Sequence, residues 1–485
     1  MRDGPGTALS CATTAILAAA LLAGGGPAGA ATEEGERLDW VIESALARPG
    51  FNGLAIGVVV EDLGTGEILY ERNADSLFVP ASNMKIVTAA AALRVLGPDY
   101  SFETDILLDA ADAGPRTGGD LYVRGSGDPS FVSEELWKLV EEIRLAGIEE
   151  IGGDIVLDAT CFDSASAASP DVLEGDRAYH ARTGALSLNF NTIAVRVGPG
   201  ARPGLPARVA LAPRTGFVEV RNGATTASRR SSKEVSVRRA VEGGSNVIEV
   251  TGAVPAGSRP RTFYRSLDDP AGYFGTVLAE SLEREGIAFG GVVRSGVVPA
   301  DTRAIVVHRS KPLSLIVRDL GKFSNNFVAE QLAKAIGAVT DGRPGTTAAG
   351  LREFERFLAS LGLDAPGTRI EDGSGFSRGN RLSPRTIAGV IRAMHEDFET
   401  AYEFFGSFSV SGTDGTLEDR MKTGPLPGRV RAKTGLLDGV TAVSGVMETA
   451  AGRRLVFSII TNGSRCEAWR VHDLEHGLLL AIHGL

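Results

Sequence analysis

The sequence predicts an α/β domain that is interrupted by a long insertion of mostly β structure. Residues 54–60 and 67–70 are apolar segments of strand length, and a Gly-containing turn joins them. From about residue 98 to residue 302, short alternating strand patterns recur between joints rich in Gly, Pro, Ser and Arg. Helical patterns return from His308 onward. The simplest arrangement is one α/β domain whose two halves flank the insertion.

Local patterns predict the remaining elements. Within the insertion, residues 120–124, 154–157 and 246–250 have the composition of short strands. The chain ends with a strand pattern at residues 454–462 and an apolar helix at residues 468–483. The insertion is therefore predicted to form two mostly β modules, and the last strand and helix complete the α/β domain.

The first 30 residues have the pattern of a secretory signal peptide. Arg2 supplies a charged start, residues 12–23 are an apolar run, and Ala28-Gly29-Ala30 is a small-residue cleavage site. No other stretch approaches the ~20 apolar residues that a membrane-spanning helix needs. We therefore expect an exported protein, in the periplasm, the cell envelope or outside the cell, with no transmembrane anchor in its mature chain.

The composition limits the partners and the cross-links. A formal net charge of −10 argues against a nucleic-acid partner, because binding phosphates requires a basic surface. After signal removal two cysteines remain, Cys161 and Cys466. An exported compartment permits a disulfide, but sequence separation says nothing about geometry. A bond between them and two separate thiols both stay open.

Residues 79–93 contain the first candidate catalytic motif. Pro80 and Ser82 precede an Ala-rich apolar run, which predicts the start of a buried helix. Lys85 follows three residues later and lies on the same face as Ser82. An amine in apolar surroundings is less readily charged, so Lys85 can serve as the base that activates a Ser82 nucleophile. A serine at a helix start is also an ordinary N-cap, so this motif alone leaves both interpretations open.

The second candidate motif is Ser324-Asn325-Asn326, at the start of another predicted helix. A hydroxyl and an amide two residues apart can relay a proton and hold a substrate amide. Capping is again the alternative interpretation. Ser187-Leu188-Asn189 repeats the triplet elsewhere in the chain, so its specificity is low.

The third candidate motif is Lys433-Thr434-Gly435, followed by Leu436. On an edge strand it offers a fixed cation, a hydroxyl and close backbone approach to a substrate carboxylate. Lys422-Thr423-Gly424 is the same triplet, but Pro425 follows it and favours a loop, because proline donates no ladder hydrogen bond. Lys433 is therefore the preferred residue.

A possible zinc pattern near the C-terminus is weak. His472, Glu475 and His476 fit His-x-x-Glu-His, but only nine residues follow, which leaves little room for a third ligand. We therefore expect no metal and no other cofactor.

The motifs Ser-x-x-Lys, Ser-x-Asn and Lys-Thr-Gly, in this order, are the set found in penicillin-binding proteins and class A β-lactamases. Longer segments, over most of the mature chain, resemble the D-alanyl-D-alanine carboxypeptidase/endopeptidase family of penicillin-binding protein 4 (DacB, peptidase family S13). The segments that carry this resemblance are residues 125–129, 185–189, 308–310, 324–332, 372–378 and 428–435.

The resemblance implies a penicillin-recognising transpeptidase/β-lactamase-like domain, with an antiparallel sheet flanked by helices. It also implies an insertion between the first two motifs. The expected division is a signal peptide 1–30, a catalytic domain 36–97 and 303–485, an inserted domain II of 98–180 and 255–302, and an inserted β domain III of 181–254.

The resemblance further implies removal of the terminal D-Ala from peptidoglycan stem peptides that end in D-Ala-D-Ala. Ser82, deprotonated by Lys85, attacks the carbonyl before the last residue. The backbone N–H groups of Ser82 and Leu436 form the oxyanion hole. β-Lactams are expected to be covalent inhibitors, because their carboxylate and strained amide mimic the dipeptide. Whether carboxypeptidase or endopeptidase activity dominates stays open.

The same resemblance assigns the other site residues. Ser324 and Asn326 pass the proton to the leaving amine and hold the substrate amide, while Lys433 and Thr434 bind the terminal carboxylate. The family commonly has Thr or Ser after Lys-Thr-Gly, where this chain has Leu436. One hydroxyl near the carboxylate is therefore missing, which affects affinity and rate rather than the class of reaction.

Two alternative functions remain. A β-lactamase is disfavoured by the long insertion and by the lack of an evident Glu-x-x-Leu-Asn segment between Ser324 and Lys433. A non-catalytic cell-wall-binding protein is disfavoured because all three motifs are intact.

Overall fold

The computed structural model describes residues 27–51, 53–109, 114–165, 175–230 and 234–485. Most of the predicted signal peptide lies outside these residues, and only its last four residues, 27–30, fall within the first described helix. Among the described helices, none is long and apolar enough to cross a membrane.

The described chain alternates between helical and strand-rich regions. The helices are α1 (Pro27–Leu46), α2 (Met84–Leu96), α3 (Ser133–Leu145), α4 (Pro270–Arg284), α5 (Leu313–Phe323), α6 (Asn326–Thr340), α7 (Thr347–Ser360), α8 (Pro384–Glu396), α9 (Ala401–Gly406) and α10 (Ala468–His483). The strands are β1 (Ala55–Asp62), β2 (Ile68–Arg72), β3 (Glu103–Asp109), β4 (Arg116–Thr117), β5 (Leu121–Gly125), β6 (Glu150–Ile151), β7 (Ile155–Asp158), β8 (Thr192–Gly198), β9 (Arg208–Ala212), β10 (Val218–Asn222), β11 (Thr225–Ala227), β12 (Val235–Glu242), β13 (Ser245–Pro255), β14 (Arg261–Ser266), β15 (Ala288–Phe289), β16 (Val293–Ser295), β17 (Thr302–Arg309), β18 (Ser409–Val410), β19 (Val430–Leu437), β20 (Val440–Glu448) and β21 (Arg454–Asn462).

The central sheet joins the two ends of the chain. Its strand order is β18-β19-β20-β21-β1-β2, and all neighbours are antiparallel. β1 pairs with β21 over its whole length, with Val58 opposite Ile459. The predicted α/β domain, interrupted by an insertion, is therefore confirmed.

Helices cover both faces of this sheet. Val58 and Val60 of β1 pack with α1 and α10, whereas Val59 packs on the opposite side with α2 and α5 to α9. Successive side chains of a strand point to opposite faces, so a strand covered on both sides has to be apolar throughout. This explains the unbroken apolar run in β1.

The insertion consists of several small sheets and of the helices α3 and α4, whose apolar side chains share its core. One five-stranded sheet has the order β16-β7-β5-β3-β17, and further sheets contain β15-β6-β4, β14-β8-β9 and β10-β13-β11, with β12 paired to β13. The strands predicted at 120–124, 154–157 and 246–250 are present, with shifted ends.

Helical structure begins at Leu313, and the prediction that it returns from His308 is wrong, because residues 302–309 pair with β3. β14 pairs with β8, so residues 261–266 share a sheet with residues 192–198. The exact division of the chain into domains stays a prediction.

Helix α6 fastens the insertion to the α/β domain. The Lys334 side chain is fully buried, and its Nζ donates to Asp163 Oδ1 at 2.6 Å and to the Ala165 carbonyl at 2.5 Å. Gln331 Nε2 donates to the carbonyl of Gly127 at 3.2 Å and to that of Gly184 at 3.0 Å. The insertion is thus held by the same helix that begins with the second motif.

Cys161 and Cys466 are not bonded to each other. Cys161 is buried in the insertion, and Cys466 lies just before α10. Both are free thiols, which answers the question that the sequence left open.

We expect Lys334→Met to destabilise the protein by about 3 kcal/mol, because it leaves the Asp163 carboxylate and two carbonyls without their buried donor. The free energy of unfolding, measured by urea titration, tests this. Lys138→Met is the matched control, because Lys138 forms an exposed pair with Glu135 that is worth less than ~1 kcal/mol. Equal losses in the two variants would contradict a special role for the buried lysine.

Candidate active site

The structure brings Ser82, Lys85, Ser324, Asn326 and Lys433 together. Lys85 Nζ lies 3.0 Å from Ser82 Oγ and 2.8 Å from Asn326 Oδ1. Lys433 Nζ lies 2.8 Å from Ser324 Oγ. Three segments that are far apart in the chain therefore form one continuous cluster of polar side chains.

The hydroxyls of the first two motifs do not cap helices. Ser82 lies in a 3-10 turn, Ala81–Asn83, directly before α2, and neither N-cap position there makes a side-chain capping bond. At α6 the N-cap is Asn325, whose side chain accepts from the Val328 N–H. Ser324 stands one residue earlier in a left-handed conformation, with φ at 56°. The capping interpretation is therefore wrong for both motifs, and their side chains are available to the cluster.

The turn at Ser82 has a strained backbone that depends on two glycines. Ala81 has a φ of 47°, which is uncommon for a residue with a side chain. A Cβ on Gly375 would lie 1.8 Å from the Ala81 carbonyl oxygen, and one on Gly435 would lie 3.1 Å from the Ser82 nitrogen. Gly375 leaves no room for a side chain and Gly435 leaves only a tight contact, so three backbone segments approach one another closely here. The third motif thus lies directly against the serine.

The Lys85 amine is almost completely removed from water, with 1% of the residue exposed. Its third hydrogen bond goes to the Ser374 carbonyl at 2.6 Å. Burial lowers the pKa of Lys85 to about 8, although the nearby charges of Asp372 and Glu330 act in the opposite direction. An amine with this pKa is partly neutral near neutral pH, as a general base must be.

Two buried carboxylates, Glu330 and Asp372, support the Ser374 loop, and no role for either was predicted from the sequence. Glu330 Oε1 accepts from the Ser374 N–H at 2.8 Å, and Asp372 accepts from the N–H groups of Gly375 and Ser377. Burial, together with the charge of Asp372, raises the pKa of Glu330. The carboxylates therefore fix the carbonyl that holds Lys85, and they place negative charge beneath its amine.

Lys433 is buried on β19, where its Nζ also donates to the Thr434 carbonyl at 2.7 Å. Burial, reinforced by the neighbouring Lys85, lowers its pKa well below the usual value. β18 pairs only with residues 431–432, so within the described chain the edge of β19 from Lys433 onward has no strand partner. Lys433 on this strand contacts Ser324, so the open edge begins next to the cluster.

A further hydroxyl lies beside the third motif. Thr434 Oγ1 donates to Thr416 Oγ1 at 2.7 Å, and Thr416 is exposed on the loop that follows β18. Leu436 is also exposed, with 55% of its surface accessible. Thr416 was not predicted as a site residue, because its only sequence signal is a Gly- and Thr-rich loop.

The alternative triplets lie elsewhere. Ser187 Oγ donates to the Gly184 carbonyl, and Asn189 Nδ2 donates to Ser133 Oγ, both within the insertion. Lys422 is exposed and pairs with Asp419. Neither triplet joins the cluster.

Glu475, the acidic residue of the possible zinc pattern, is engaged in other contacts. Glu475 is fully buried, and it accepts from Thr441 Oγ1 and from Arg420. The part of the chain that the structure describes contains no group of three or more His, Cys, Asp or Glu side chains arranged to hold a metal.

A serine and a buried lysine at one helix start, a Ser-x-Asn helix start and an open Lys-Thr-Gly strand, on an antiparallel sheet between helices, define a serine enzyme of the penicillin-recognising class. The chain belongs to the D-Ala-D-Ala carboxypeptidase 3 (S13) family, whose model matches residues 38–478.

Individual relatives agree with this family. The chain is 38% identical over 480 residues to a D-alanyl-D-alanine carboxypeptidase of Actinomadura sp. (strain R39), covering 95% of this chain and 88% of that one. The crystal structure of penicillin binding protein 4 (dacB) from Haemophilus influenzae matches with a TM-score of 0.78 at 23% identity, over 91% of this chain and 99% of that one. The same protein complexed with a β-lactam matches with a TM-score of 0.74 at 24% identity, over 92% and 99%.

We expect Glu330→Gln to move the acidic limb of the acylation rate to lower pH. The amide still accepts from the Ser374 N–H but removes a negative charge that keeps the Lys85 pKa up, so the amine stays neutral at lower pH. The acylation rate by a chromogenic penicillin, measured across pH, tests this. Glu355→Gln, an exposed glutamate on α7, is the control. An unmoved limb in a folded Glu330→Gln protein would contradict the electrostatic role.

Proposed function

We propose that the protein is a serine-type D-Ala-D-Ala carboxypeptidase that acts on peptidoglycan stem peptides through an acyl-enzyme on Ser82. The observation that carries the proposal is the contact of the buried Lys85 amine with Ser82 Oγ at 3.0 Å. A nucleophile within hydrogen-bond reach of a base, with that base oriented by further groups, is the arrangement that covalent catalysis requires. Membership of the S13 family supports the substrate class.

In acylation, neutral Lys85 takes the Ser82 proton as Oγ attacks the carbonyl before the terminal D-Ala. The Ser82 N–H and the Leu436 N–H stabilise the developing oxyanion, and the close approach of Gly435 to the Ser82 nitrogen brings the two segments together. The C–N bond then breaks, and the terminal D-Ala leaves as its free amine.

The leaving amine needs a proton, and Ser324 is placed to relay one. Its Oγ accepts from Lys433 Nζ, while Asn326 contacts Lys85 and can hold the substrate amide. Ser324 can thus give its hydroxyl proton to the leaving nitrogen and take one from Lys433 Nζ, with which it is in contact. Water then hydrolyses the acyl-enzyme and regenerates Ser82.

The substrate carboxylate binds beside Thr434 and Lys433, and Thr416 supplies an additional hydroxyl there. Thr416 Oγ1 lies 2.7 Å from Thr434 Oγ1 and 3.3 Å from Ser409 Oγ, so its hydroxyl can turn from Ser409 to a substrate carboxylate in the cleft. Thr416 therefore offsets the hydroxyl that Leu436 lacks.

We further propose that the enzyme acts outside the cytoplasm, in the periplasm or the cell envelope. The signal-peptide pattern of residues 1–30 and the location of peptidoglycan support this. No metal takes part in the proposed reaction, because Ser, Lys, Asn and backbone groups fill every role.

We expect Ser82→Ala to abolish covalent labelling by a fluorescent penicillin and to reduce D-Ala release at least ~1,000-fold, because the acyl-enzyme cannot form. Tandem mass spectrometry of peptides from the labelled native protein locates the adduct. An adduct on another residue would contradict the assignment of Ser82.

In the native protein, release of D-Ala from an acyl-D-Ala-D-Ala peptide should be catalytic, while the penicilloyl ester persists for minutes or longer. The D-Ala departs and admits water, but the amine of an opened β-lactam stays tethered and blocks it. Rapid turnover of penicillin without D-Ala release would indicate a β-lactamase instead.

We expect Thr416→Val to lower kcat/KM for acyl-D-Ala-D-Ala about 10- to 100-fold, the effect of losing one hydrogen bond to a charged group. A peptide ending in D-Ala-amide lacks the carboxylate, so the native enzyme and the variant should cleave it at similar low rates. Thr413→Val, a neighbouring exposed threonine, is the control. An equal loss on both peptides would contradict carboxylate binding.

A further inference from the structure

The inserted modules contain an open cleft that includes no residue of the three motifs. Its volume is about 790 Å³, and β12, β14 and the segments at residues 175–182 and 268 line it. Six arginines face this arginine cleft, namely Arg177, Arg182, Arg238, Arg239, Arg261 and Arg265. The acidic residues that line it are Asp176, Glu234 and Asp268. The cleft is therefore locally basic in a chain whose net charge is −10.

Some of these arginines are structural. Arg265 is buried, and it donates to the carbonyls of Val237 and Tyr264 while pairing with Asp176 at 3.1 Å. Asp268 pairs with Arg182 at 3.1 Å and with Arg239 at 3.3 Å. Asp268 thus contacts two guanidinium groups, and the six arginines of the cleft outnumber its three carboxylates, so the ion pairs leave excess positive charge.

Three exposed arginines remain around this framework. Arg238 and Arg261 form no ion pair with any described residue, and Arg177 only approaches Asp176, at 3.9 Å. Arg261 lies 5.1 Å from the centroid of the Phe263 ring, on a strand whose alternation places residues 261, 263 and 265 on one face. A guanidinium held on an aromatic ring keeps its fork of donors oriented, and that fork matches phosphate and carboxylate groups.

We propose that the arginine cleft binds a cell-wall polymer of sugar or polyol units that carries phosphate or carboxylate groups. Exposed arginines from three separate segments suit several oxyanions along one chain better than a single ion, and the volume suits a few units of such a polymer. The proposal rests on the proposed function for the identity of the polymer, since a wall enzyme meets such chains next to its substrate. Binding there holds the enzyme on the wall without occupying the catalytic cluster.

Calorimetry on the full-length mature protein at low and moderate salt tests this. The probes are a glycerol-phosphate oligomer, tetragalacturonate, inorganic phosphate, a short poly-Glu peptide and neutral dextran. We expect the glycerol-phosphate oligomer, tetragalacturonate or both to bind, and to bind more weakly as salt rises. Which of the two binds shows whether the cleft recognises phosphate or carboxylate groups. Binding should weaken at least tenfold in Arg238→Gln/Arg261→Gln. The matched control is Arg202→Gln/Arg208→Gln, which changes two exposed arginines of the insertion outside the cleft.

The outcomes separate this proposal from the catalytic one. D-Ala release from a short soluble peptide should be unchanged in both double variants, so a failure of catalysis and a failure of polymer binding are distinguishable. The absence of binding by both oligomers, or equal binding by the two double variants, would overturn the arginine cleft as a polymer site. Equally tight binding of inorganic phosphate would reduce it to a single-ion site, and tighter binding of poly-Glu would assign it to an acidic peptide.

Discussion

The burial of the Lys85 amine is the constraint on which the rest of the site depends. Removing an ammonium group from water costs several kcal/mol unless hydrogen bonds and opposite charges compensate. Here the acceptors are Ser82, Asn326 and the Ser374 carbonyl, which come from three different segments. Each segment must therefore be held in a fixed position. The pairing of β1 with β21, helix α6 and the glycines at close backbone contacts provide this support. The partial compensation leaves the amine with a pKa of about 8, which suits a base.

The insertion is tied to this arrangement through α6. Asn326 begins the helix, and Gln331 and Lys334, one and two turns later, hold the inserted modules at several backbone positions. Positions three or four residues apart lie on the same helix face, so the helix that presents the site at one end carries the insertion along its length. A large insertion between the first two motifs is therefore compatible with precise placement of Lys85, because it is anchored beside the second motif.

Much of this fold could be predicted from local sequence patterns, and much of the site from motif order. The strand at residues 454–462 and the helix at residues 468–483 are confirmed with their bounds, since each is a clear apolar pattern. Strand β17 was missed because its residues precede a helix directly, and only pairing with β3 identifies them as a strand. Thr416 and Glu330 were missed for a related reason. Their roles come from contacts with residues 18 and 44 positions away, which no local pattern encodes.

The two buried lysines couple substrate binding to activation of the serine in the proposed reaction. Lys85 and Lys433 lie in one cluster, and the charge of Lys85 is among the causes that lower the pKa of Lys433. Two cations in this volume repel each other, and burial together with the charge of Lys85 favours the neutral form of Lys433 before substrate binds. A substrate carboxylate beside Thr434 brings a negative charge that favours the cationic form of Lys433. In the proposed mechanism the substrate thus completes its own carboxylate site while Lys85 stays neutral to deprotonate Ser82. A ligand without that carboxylate loses this effect, which links recognition of the chain end to activation of the serine.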